Sequence, residues 1–516
     1  MRDFLLDYHP IHPTTWVYLS SLLMIGVFFK FSRFWSVRNL DLVLLALLAP
    51  GLLLVTFGIE AEQKELAQAA ATAGRSTGEL QLEPGDTPSV ESGETDLLPQ
   101  QNAETDLNDS AVDDATLGTA AAANGEPIHA GRQALTGLQS KYFGYLWLLS
   151  ACGLLLLRLL IDPTMVRRPL LEPNLSSGGL TFLGCSLFVF LMANVVSSPT
   201  TEDDLQGARG ARQLWNRAKE ESDSDDLRRH GPGNAVLHLL PSLVSLPQQW
   251  SEPVGGESNP ELGNVRTAKA MAILSHLAVV FGIVAIGYRH FDNIQMGIGA
   301  ATLYLMLPYT SQMTGRVDHV LPAALLVWAV LSYRRPLVAG MFIGLAIGVV
   351  YYPLFLLPLW LSFYWQRGLM RFTTGFLITL TLMVLSLVFV SEDMAGFVTN
   401  VQKMFGIWFP VMDRLSGIWG LGWDPIYRLP VLAAFIAISG TMALWPAQKN
   451  LGTLLSCTAA VMVATQFWHG YGGGLYLAWS LPLTLLTIFR PNLEDRVALT
   501  VLGEGWFPKR RHSMAA

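Results

Sequence analysis

The sequence predicts an all-α membrane protein that crosses the bilayer about thirteen times. Of its 516 residues, 51% are hydrophobic and only 14% are charged, whereas a soluble protein carries roughly 25% charged residues. Long apolar runs recur along the chain, and runs of this density are typical of membrane-spanning helices. Lys and Arg concentrate in alternate connections between the runs, and such basic turns stay on the cytoplasmic side.

The basic turns also predict the orientation of each span. The first apolar run is followed by Lys30, Arg33 and Arg38, which places the N-terminus outside. The basic tail after residue 491 is expected in the cytoplasm. The predicted spans cover about residues 16–29, 40–59, 142–161, 178–196, 267–287, 294–307, three runs within 309–368, 372–390, 429–445, 451–468 and 475–488.

The composition divides the chain into segments. Residues 60–140 hold 15 of the 40 Asp and Glu residues but 3 of the 34 Lys and Arg residues, so we expect a disordered, acidic, external loop that acts as a solvated spacer or as a tether. The other predicted segments are two spans in 1–59, two in 141–196, an external segment with surface helices at 197–265, a core at 266–491 with an external loop at 391–427, and a tail at 492–516.

Several kinds of chemistry find no support in the sequence. The three cysteines fall within apolar runs, which indicates packing rather than a disulfide framework or metal site. No phosphate-binding loop and no zinc-type ligand spacing is present, and the glycines at 472–474 indicate a tight turn. We therefore predict no cofactor, although a divalent-metal requirement stays open. We also expect no nucleic-acid partner.

Charged groups near the external ends of the spans are the candidates for function. Taken singly, each is a solvated charge or a helix cap, and Glu202, Asp203 and Asp204 could simply cap a helix that follows them. Taken together, they gather acids, arginines and histidines on one face of the membrane. Arginine binds phosphate and a carboxylate accepts a proton from an attacking hydroxyl, so this mixture suits a lipid-linked, phosphorylated sugar.

Residues 315–366 carry a recognisable pattern: a polar external turn, a span, a basic turn and a Gly-rich span that turns at a proline. The matching residues are Gly315, Arg316, Asp318, Arg334, Arg335, Ala339, Gly340, Gly344 and Pro353. This stretch resembles the middle of the polyprenyl-phosphate-dependent glycosyltransferases of the C superfamily, especially the mannosyltransferase-like bacterial members. In that superfamily an acidic residue in a large external loop acts as the base, and the segment 197–265 is the loop of that kind here.

The resemblance implies a membrane enzyme that transfers a sugar from a polyprenyl-phosphate donor to a lipid or glycan acceptor, with inversion, at the external face of a bacterial inner membrane. Asp203 or Asp204 would be the catalytic base and Arg316 would hold the donor phosphate. Asp318 and His319 would position the reacting groups. The remaining predicted substrate-binding residues are Tyr352, Arg428 and His469.

Two other classes of protein remain open at this point. One is a transporter or flippase of lipid-linked or small solutes, and the other is a non-catalytic membrane protein. A transporter predicts charges buried in mid-span or broken helices in matched halves. The main intraspan candidates are Arg158 and His276, which we interpret as a snorkelling end residue and a packed histidine.

Overall fold

The computed structural model describes residues 13–79, 125–165, 171–216, 230–249, 260–366, 368–389, 391, 393–405, 412, 415–447 and 449–491. These residues are helical, with one isolated β-bridge and no strand among them, which confirms the all-α class. The α-helices are α1 Pro13–Phe28, α2 Val37–Ala46, α3 Leu48–Glu79, α4 Gly125–Ile161, α5 Ser177–Ser197, α6 Glu202–Asn216, α7 Pro232–Gln249, α8 Pro260–Arg289, α9 Ile294–Met306, α10 Pro308–Gln312, α11 Val317–Leu331, α12 Pro336–Val349, α13 Leu357–Tyr364, α14 Leu369–Val388, α15 Met394–Phe405, α16 Arg428–Thr441, α17 Leu451–Trp468 and α18 Leu481–Phe489. Short 3₁₀ turns link several of them.

Six helical stretches within the described residues are long and apolar enough to cross a membrane. They are Val37–Lys64, Gly137–Thr164, Ser177–Ser197, Glu261–Arg289, Leu369–Val388 and Leu451–Trp468. The apolar segment of α17 is 94% buried inside the protein, whereas the other five are 28–50% buried. Helices α9, α11 and α18 are also almost wholly buried, so the interior contains short helices as well as α17. This arrangement is that of a helical membrane protein.

Helices α12 and α14 pack closely against each other, and glycine makes this possible. Gly340, Gly344 and Gly348 recur every four residues and therefore share one face of α12. A Cβ atom at Gly340 would clash with the carbonyl oxygen of Phe372, and one at Gly344 would clash with the hydroxyl of Thr379. Small residues at this spacing let two helix backbones approach closely, which stabilises helix pairs in membranes.

The segment 197–265 is largely helical where it is described. Helices α6 and α7 pack against each other through Gly207, which contacts the ring of His238. The residues before α7 reach the end of α12, where Gly231 donates a backbone hydrogen bond to the carbonyl of Val349 at 2.8 Å. Gly233 lies against the Gly348 backbone, where a Cβ atom would come within 2.6 Å of the carbonyl carbon and would clash. The segment is therefore fixed onto the core.

The prediction of a disordered segment from residue 60 to residue 140 is wrong at both ends. Helix α3 continues to Glu79 and helix α4 begins at Gly125, because runs of Ala, Glu and Gln have high helix propensity and extend helices that a span has already nucleated. The described residues of the range Leu54–Phe143 form a compact unit of their own. Within this unit Lys141 pairs with Glu62. Residues 80–124 lie outside the described residues.

Arg158 is not a snorkelling side chain. It forms a bidentate pair with Asp41, at 2.6 and 2.9 Å, and also contacts Asp162 at 3.0 Å. Arg490 binds the other oxygen of Asp162 at 2.8 Å. Two arginines and two aspartates thus neutralise one another in the interior, and removing any one would leave the buried network with a net charge. His276, by contrast, is a packed histidine as expected, bonded to the Thr314 carbonyl and to the Tyr304 hydroxyl.

Candidate functional site

Three carboxylates converge on one guanidinium, and we call Asp203, Asp204, Asp318 and Arg316 the carboxylate cluster. Asp203 and Asp204 lie in the first turn of α6, Arg316 immediately precedes α11, and Asp318 lies in the first turn of α11. Arg316 binds Asp318 in a bidentate manner, at 3.2 and 3.0 Å. Its Nη2 lies 3.3 Å from Asp203 and its Nε lies 3.4 Å from Asp204. The cluster therefore joins two segments that are far apart in sequence, since Asp204 and Arg316 are 112 positions apart.

Asp204 has two roles in this arrangement. Its Oδ2 accepts hydrogen bonds from the Thr201 backbone N–H at 3.0 Å and from the Thr201 hydroxyl at 2.7 Å, so the third residue of α6 reaches back to the residue before the helix, which is one half of a capping box. The capping interpretation is thus confirmed for Asp204. Only 9% of the residue is exposed. Burial raises the pKa of the Asp204 carboxyl, and the Thr201 hydrogen bonds and the Arg316 charge offset only part of that rise.

Asp318 is held by nitrogen atoms on several sides. It is 5% exposed, and its Oδ2 lies 3.7 Å from Nε2 of His230 and 3.7 Å from Nε2 of His319. The Nδ1 of His319 lies 2.7 Å from the hydroxyl of Tyr309, which in turn donates to the Leu475 carbonyl. A carboxylate paired this way is a weak base, because a proton would have to compete with the guanidinium. Asp318 therefore serves to hold Arg316.

A continuous stack of aromatic rings leads away from His319. His319 stacks on Tyr476 with ring centroids 4.4 Å apart, and Tyr476 packs on His469 at 4.6 Å. His469 stacks on Tyr352 at 4.6 Å, and Tyr352 stacks on Tyr351 at 4.1 Å. The predicted residues Tyr352 and His469 therefore belong to one aromatic stack that reaches the carboxylate cluster through Tyr476 and His319.

A glycine turn after α17 positions Tyr476 in this stack. Gly472 and Gly474 have φ angles of +84° and +94°, and Leu475 donates to the Gly472 carbonyl, so the predicted tight turn is confirmed. The buried amide of Gln466 holds the turn, because its Oε1 accepts from the backbones of Gly474 and Tyr476 at 3.1 Å each. Gln466 and the glycines thus fix the position of the Tyr476 ring.

A cavity of about 430 Å³ lies beside the carboxylate cluster. Most of the residues that line it are polar or small, and its charged members are Asp204, Lys269 and Arg316. Two of the three N–H groups of Lys269 donate to the carbonyls of Val196 and Ser198, both at 2.8 Å, and the third finds no acceptor among the described residues. The cavity therefore offers two cations and one carboxylate.

Arg316 binds Asp318 through Nε and Nη2, and these contacts do not use Nη1. Its hydrogen bonds and ion pairs with the cluster run through Nε and Nη2, and Nη1 forms no hydrogen bond with any residue that the structure describes. The Asp318 carboxylate also raises the pKa of Arg316, which keeps the guanidinium charged. The carboxylates therefore orient a permanent cation at the cavity wall.

The structure brings most of the predicted site residues together. Asp203, Asp204, Arg316, Asp318 and His319 lie in or against the carboxylate cluster, and Tyr352 and His469 lie in the aromatic stack. Arg428 does not line the cavity: its guanidinium donates to the Trp468 carbonyl at 2.9 Å and packs against Gly470, so it supports the turn after α17. Residues 413 and 414 of the predicted external loop 391–427, an aspartate and an arginine in the sequence, lie outside the described residues.

Four contributors were missed in the sequence analysis: His230, Lys269, Tyr309 and Tyr476. Lys269 carried the clearest signal, because a lysine inside an apolar run is costly unless it has partners. The other three are ordinary loop or helix-end residues whose sequence context signals nothing. Among the described residues, no three His, Cys, Asp or Glu side chains are placed to hold a metal ion.

Comparison with known proteins assigns the chain to no family. No protein-family model matches it, and no curated protein matches it. What the site does must therefore be argued from its own geometry and chemistry.

Proposed function

We propose that the protein is a membrane glycosyltransferase that transfers a sugar from a polyprenyl-phosphate donor to an acceptor hydroxyl at the external face of a bacterial cytoplasmic membrane. One observation carries the proposal. Asp204 and Arg316, predicted separately as a base and a phosphate ligand, line the same cavity together with Lys269. A transfer from a lipid phosphate needs a base for the acceptor hydroxyl and cations for the leaving phosphate, all within reach of the bound substrates.

Asp204 is the proposed base. The acceptor oxygen attacks the anomeric carbon, the bond from that carbon to the phosphate oxygen breaks, and the phosphate leaves with the electron pair. The acceptor proton passes to Asp204, whose raised pKa makes it a better proton acceptor than an ordinary aspartate. Asp203 is the less suitable of the two predicted residues, because its side chain is 41% exposed and it does not line the cavity.

Arg316 and Lys269 are the proposed phosphate ligands. The departing lipid phosphate gains negative charge, and a cation held in place beforehand stabilises that charge better than mobile water does. Nη1 of Arg316 and the third N–H of Lys269 supply the donors. Asp318 acts as a positioning residue, since it grips the opposite edge of the Arg316 guanidinium at 3.0 and 3.2 Å.

The proposal includes a topology of about thirteen spans with the N-terminus outside and the C-terminus in the cytoplasm. Helix α11 supports the side assigned to the site. It begins beside Arg316 and Asp318, and it ends just before the basic pair Arg334 and Arg335. A short loop with two arginines favours the cytoplasm, so the opposite end of the helix faces outward.

The test is a transfer assay on the purified protein in nanodiscs, with a radiolabelled polyprenyl-phosphate sugar and a membrane acceptor fraction. Asp204→Asn keeps the size of the side chain and an acceptor for Thr201, and it should lower the transfer rate by about 10²–10⁴ because the base is removed. The matched control is Glu202→Gln, an exposed carboxylate of the same helical turn, which should leave the rate unchanged.

Two results would reject parts of the proposal. Transfer by Asp204→Asn at the wild-type rate would exclude Asp204 as the base. If Asp203→Asn also transferred sugar at the wild-type rate, neither of the two predicted residues would be the base. Wild-type protein that neither binds nor cleaves any polyprenyl-phosphate sugar is no glycosyltransferase of this type. The same cavity would then serve a transporter of lipid-linked solutes, or the protein would be non-catalytic.

A further inference from the structure

A group of four arginines lies at helix ends remote from the carboxylate cluster: Arg289, Arg334, Arg335 and Arg371. Arg289 is the last residue of α8, the adjacent pair 334–335 lies between α11 and α12, and Arg371 lies in the first turn of α14. The cavity lies towards the opposite ends of α8 and α11, where Lys269 and Arg316 line it. We call these four arginines the basic surface, and it is separate from the candidate functional site.

Buried aromatic rings hold these helix ends together. His290, which follows α8, bonds to the Leu331 carbonyl at 2.8 Å and packs edge-on against Tyr333, with ring centroids 4.7 Å apart. The carbonyl of Tyr333 accepts a hydrogen bond from the Tyr364 hydroxyl at 2.6 Å, and the Tyr364 ring stacks on Phe372 of α14 at 5.1 Å. The backbone segments that carry the four arginines are therefore fixed relative to one another.

Helices α12 and α14 bring two of the arginines to neighbouring helix starts. A Cβ atom on Gly375, in the second turn of α14, would lie 2.0 Å from the carbonyl oxygen of Leu337, in the first turn of α12. Near the other end, Gly348 of α12 also contacts α14. The two helices thus run side by side in the same direction. Arg335, just before α12, and Arg371, in the first turn of α14, consequently lie at the same end of this pair.

Most of this positive charge has no partner in the part of the protein that the structure describes. The side chains of Arg289, Arg335 and Arg371 are exposed and form no hydrogen bond or ion pair with a described residue. Arg334 donates to the Tyr333 hydroxyl at 3.3 Å, and its guanidinium lies 5.8 Å from the centre of that ring. Like charges at neighbouring positions repel one another, so an anion among them is favoured.

Little negative charge offsets the arginines. Asp292 is the only acid in the turns from α8 to α9, from α11 to α12 and from α13 to α14. His290 adds no charge at neutral pH, because burial lowers its pKa to about 4 and the charges of Arg334 and Arg289 add to that effect. The basic surface therefore keeps a net positive charge at neutral pH.

The side chains around the basic surface are typical of the boundary between membrane and water. Tyr288, Trp365 and Met370 neighbour the arginines in sequence and are all exposed. Tyr and Trp are enriched at this boundary, where lipid headgroups lie. Further along α14, Leu377 and Leu382 are exposed and apolar. A lipid whose headgroup lay on the basic surface would place its acyl chains along this apolar face of α14.

We propose that the basic surface binds the headgroup of an anionic phospholipid. Guanidinium groups donate paired hydrogen bonds to phosphate oxygens, and Arg335 and Arg371 supply them from two adjacent helix starts. A zwitterionic headgroup carries a cationic group that the arginines repel, so the surface selects lipids with a net negative charge. A small soluble anion gains nothing from the apolar face of α14. The cavity takes no part, so this binding does not depend on whether the protein transfers sugar.

The first test measures lipid binding to the full-length protein in detergent by microscale thermophoresis. The ligands are dioctanoyl-phosphatidylglycerol, which is anionic, and dioctanoyl-phosphatidylcholine, which has the same chains and a zwitterionic headgroup. The anionic lipid should bind at least about tenfold more tightly, as expected for two or more arginine contacts. The difference should shrink at high salt, because salt screens exposed charges. Equal affinity for the two lipids at low salt would overturn the proposal.

The second test removes one arginine at a time. Arg335→Gln and Arg371→Gln should each weaken binding of the anionic lipid about fivefold, as expected for one charge beside an anionic headgroup, and leave the zwitterionic lipid unaffected. Both side chains are exposed, so the melting temperature without lipid should stay unchanged. The matched control is Arg33→Gln, an exposed arginine in the turn before α2 that lies on the same side of the membrane in the proposed topology.

The control separates a defined surface from general positive charge. Arg33→Gln should bind the anionic lipid as tightly as the wild-type protein does. If it weakened binding as much as the other two variants, the lipid would be responding to basic charge anywhere on that side, and the proposal would be wrong. Wild-type affinity in both Arg335→Gln and Arg371→Gln would overturn it as well.

A competition experiment distinguishes a lipid from a soluble anion. Inorganic phosphate and glycerol 3-phosphate present the same oxygens without acyl chains, so neither should displace the anionic lipid when present at the same concentration. Displacement by either compound would show that the basic surface is a site for a soluble anion and would reject the lipid.

Discussion

Replacing Asp318 by Asn tests the arrangement of the carboxylate cluster. Asp318 is 5% exposed and receives two hydrogen bonds from Arg316, at 3.0 and 3.2 Å. Breaking a fully buried ion pair costs about 3–5 kcal/mol. Arg316 is 25% exposed and lies 3.3 and 3.4 Å from Asp203 and Asp204, so it keeps two partners. We therefore reduce the expected cost to about 1–3 kcal/mol.

The cost should be visible in catalysis, because an Arg316 that no longer holds its orientation stabilises the leaving phosphate less well. If the leaving phosphate loses about 1–3 kcal/mol of transition-state stabilisation from the misoriented guanidinium, kcat/KM for the donor drops about 5- to 150-fold. The assay is transfer kinetics together with thermal unfolding, and the control is Asp424→Asn, an exposed aspartate that caps a turn elsewhere. Unchanged kcat/KM and unchanged melting temperature in Asp318→Asn would show that Asp318 does not hold Arg316.

Four further predictions concern pH, topology and packing. Asp204 must be ionised to act as the base, so the transfer rate should fall as the pH decreases through its raised pKa, at a higher pH than an ordinary aspartate would give; a pH–rate profile measures this. The same raised pKa means that the contribution of Asp204 to stability is present at low pH and lost as the pH rises through that pKa, so Asp204→Asn should not lower the melting temperature at pH 8. In a cysteine-free background, Tyr427→Cys should react with a membrane-impermeant thiol reagent added outside intact cells, and Trp365→Cys should not. Labelling of both positions would contradict the proposed topology. Gly344→Ala should destabilise the protein by about 1–3 kcal/mol because its Cβ clashes with Thr379, whereas Gly440→Ala, with open space around it, should not; equal melting temperatures would contradict the α12–α14 packing.

The sequence predicted which residues share one end of the helices, for a simple physical reason. Consecutive spans alternate in direction, and basic turns mark every second connection. Arg316 and Asp204 are far apart in the chain, yet the alternating direction of the spans alone predicted that both lie at the external end. The structure places them 3.4 Å apart. The class of helical membrane protein followed equally directly from composition.

Contacts that depend on side-chain packing could not be predicted from the sequence. Arg158 and Asp41 are 117 residues apart, and nothing in either neighbourhood indicates that they meet. His230 reaches Asp318 only because Gly231 and Gly233 let the chain lie against the end of α12. The helical ends of segment 60–140 were not predicted because the low hydrophobicity of the segment indicates that it forms no core of its own. Low hydrophobicity does not, however, prevent a membrane span from continuing as a helix into the segment.

Photo-crosslinking tests the central claim most directly, namely that the cavity beside Arg316 and Asp204 receives the lipid-linked sugar. The probe is a polyprenyl-phosphate sugar with a diazirine on the sugar ring, bound to wild-type protein in nanodiscs, and the readout is mass spectrometry of the labelled peptides. The account predicts labels within residues 194–204 or 311–316, suppressed by excess unlabelled donor. Donor-suppressible labels confined to other segments, such as the basic turn at Arg334 and Arg335, would contradict it.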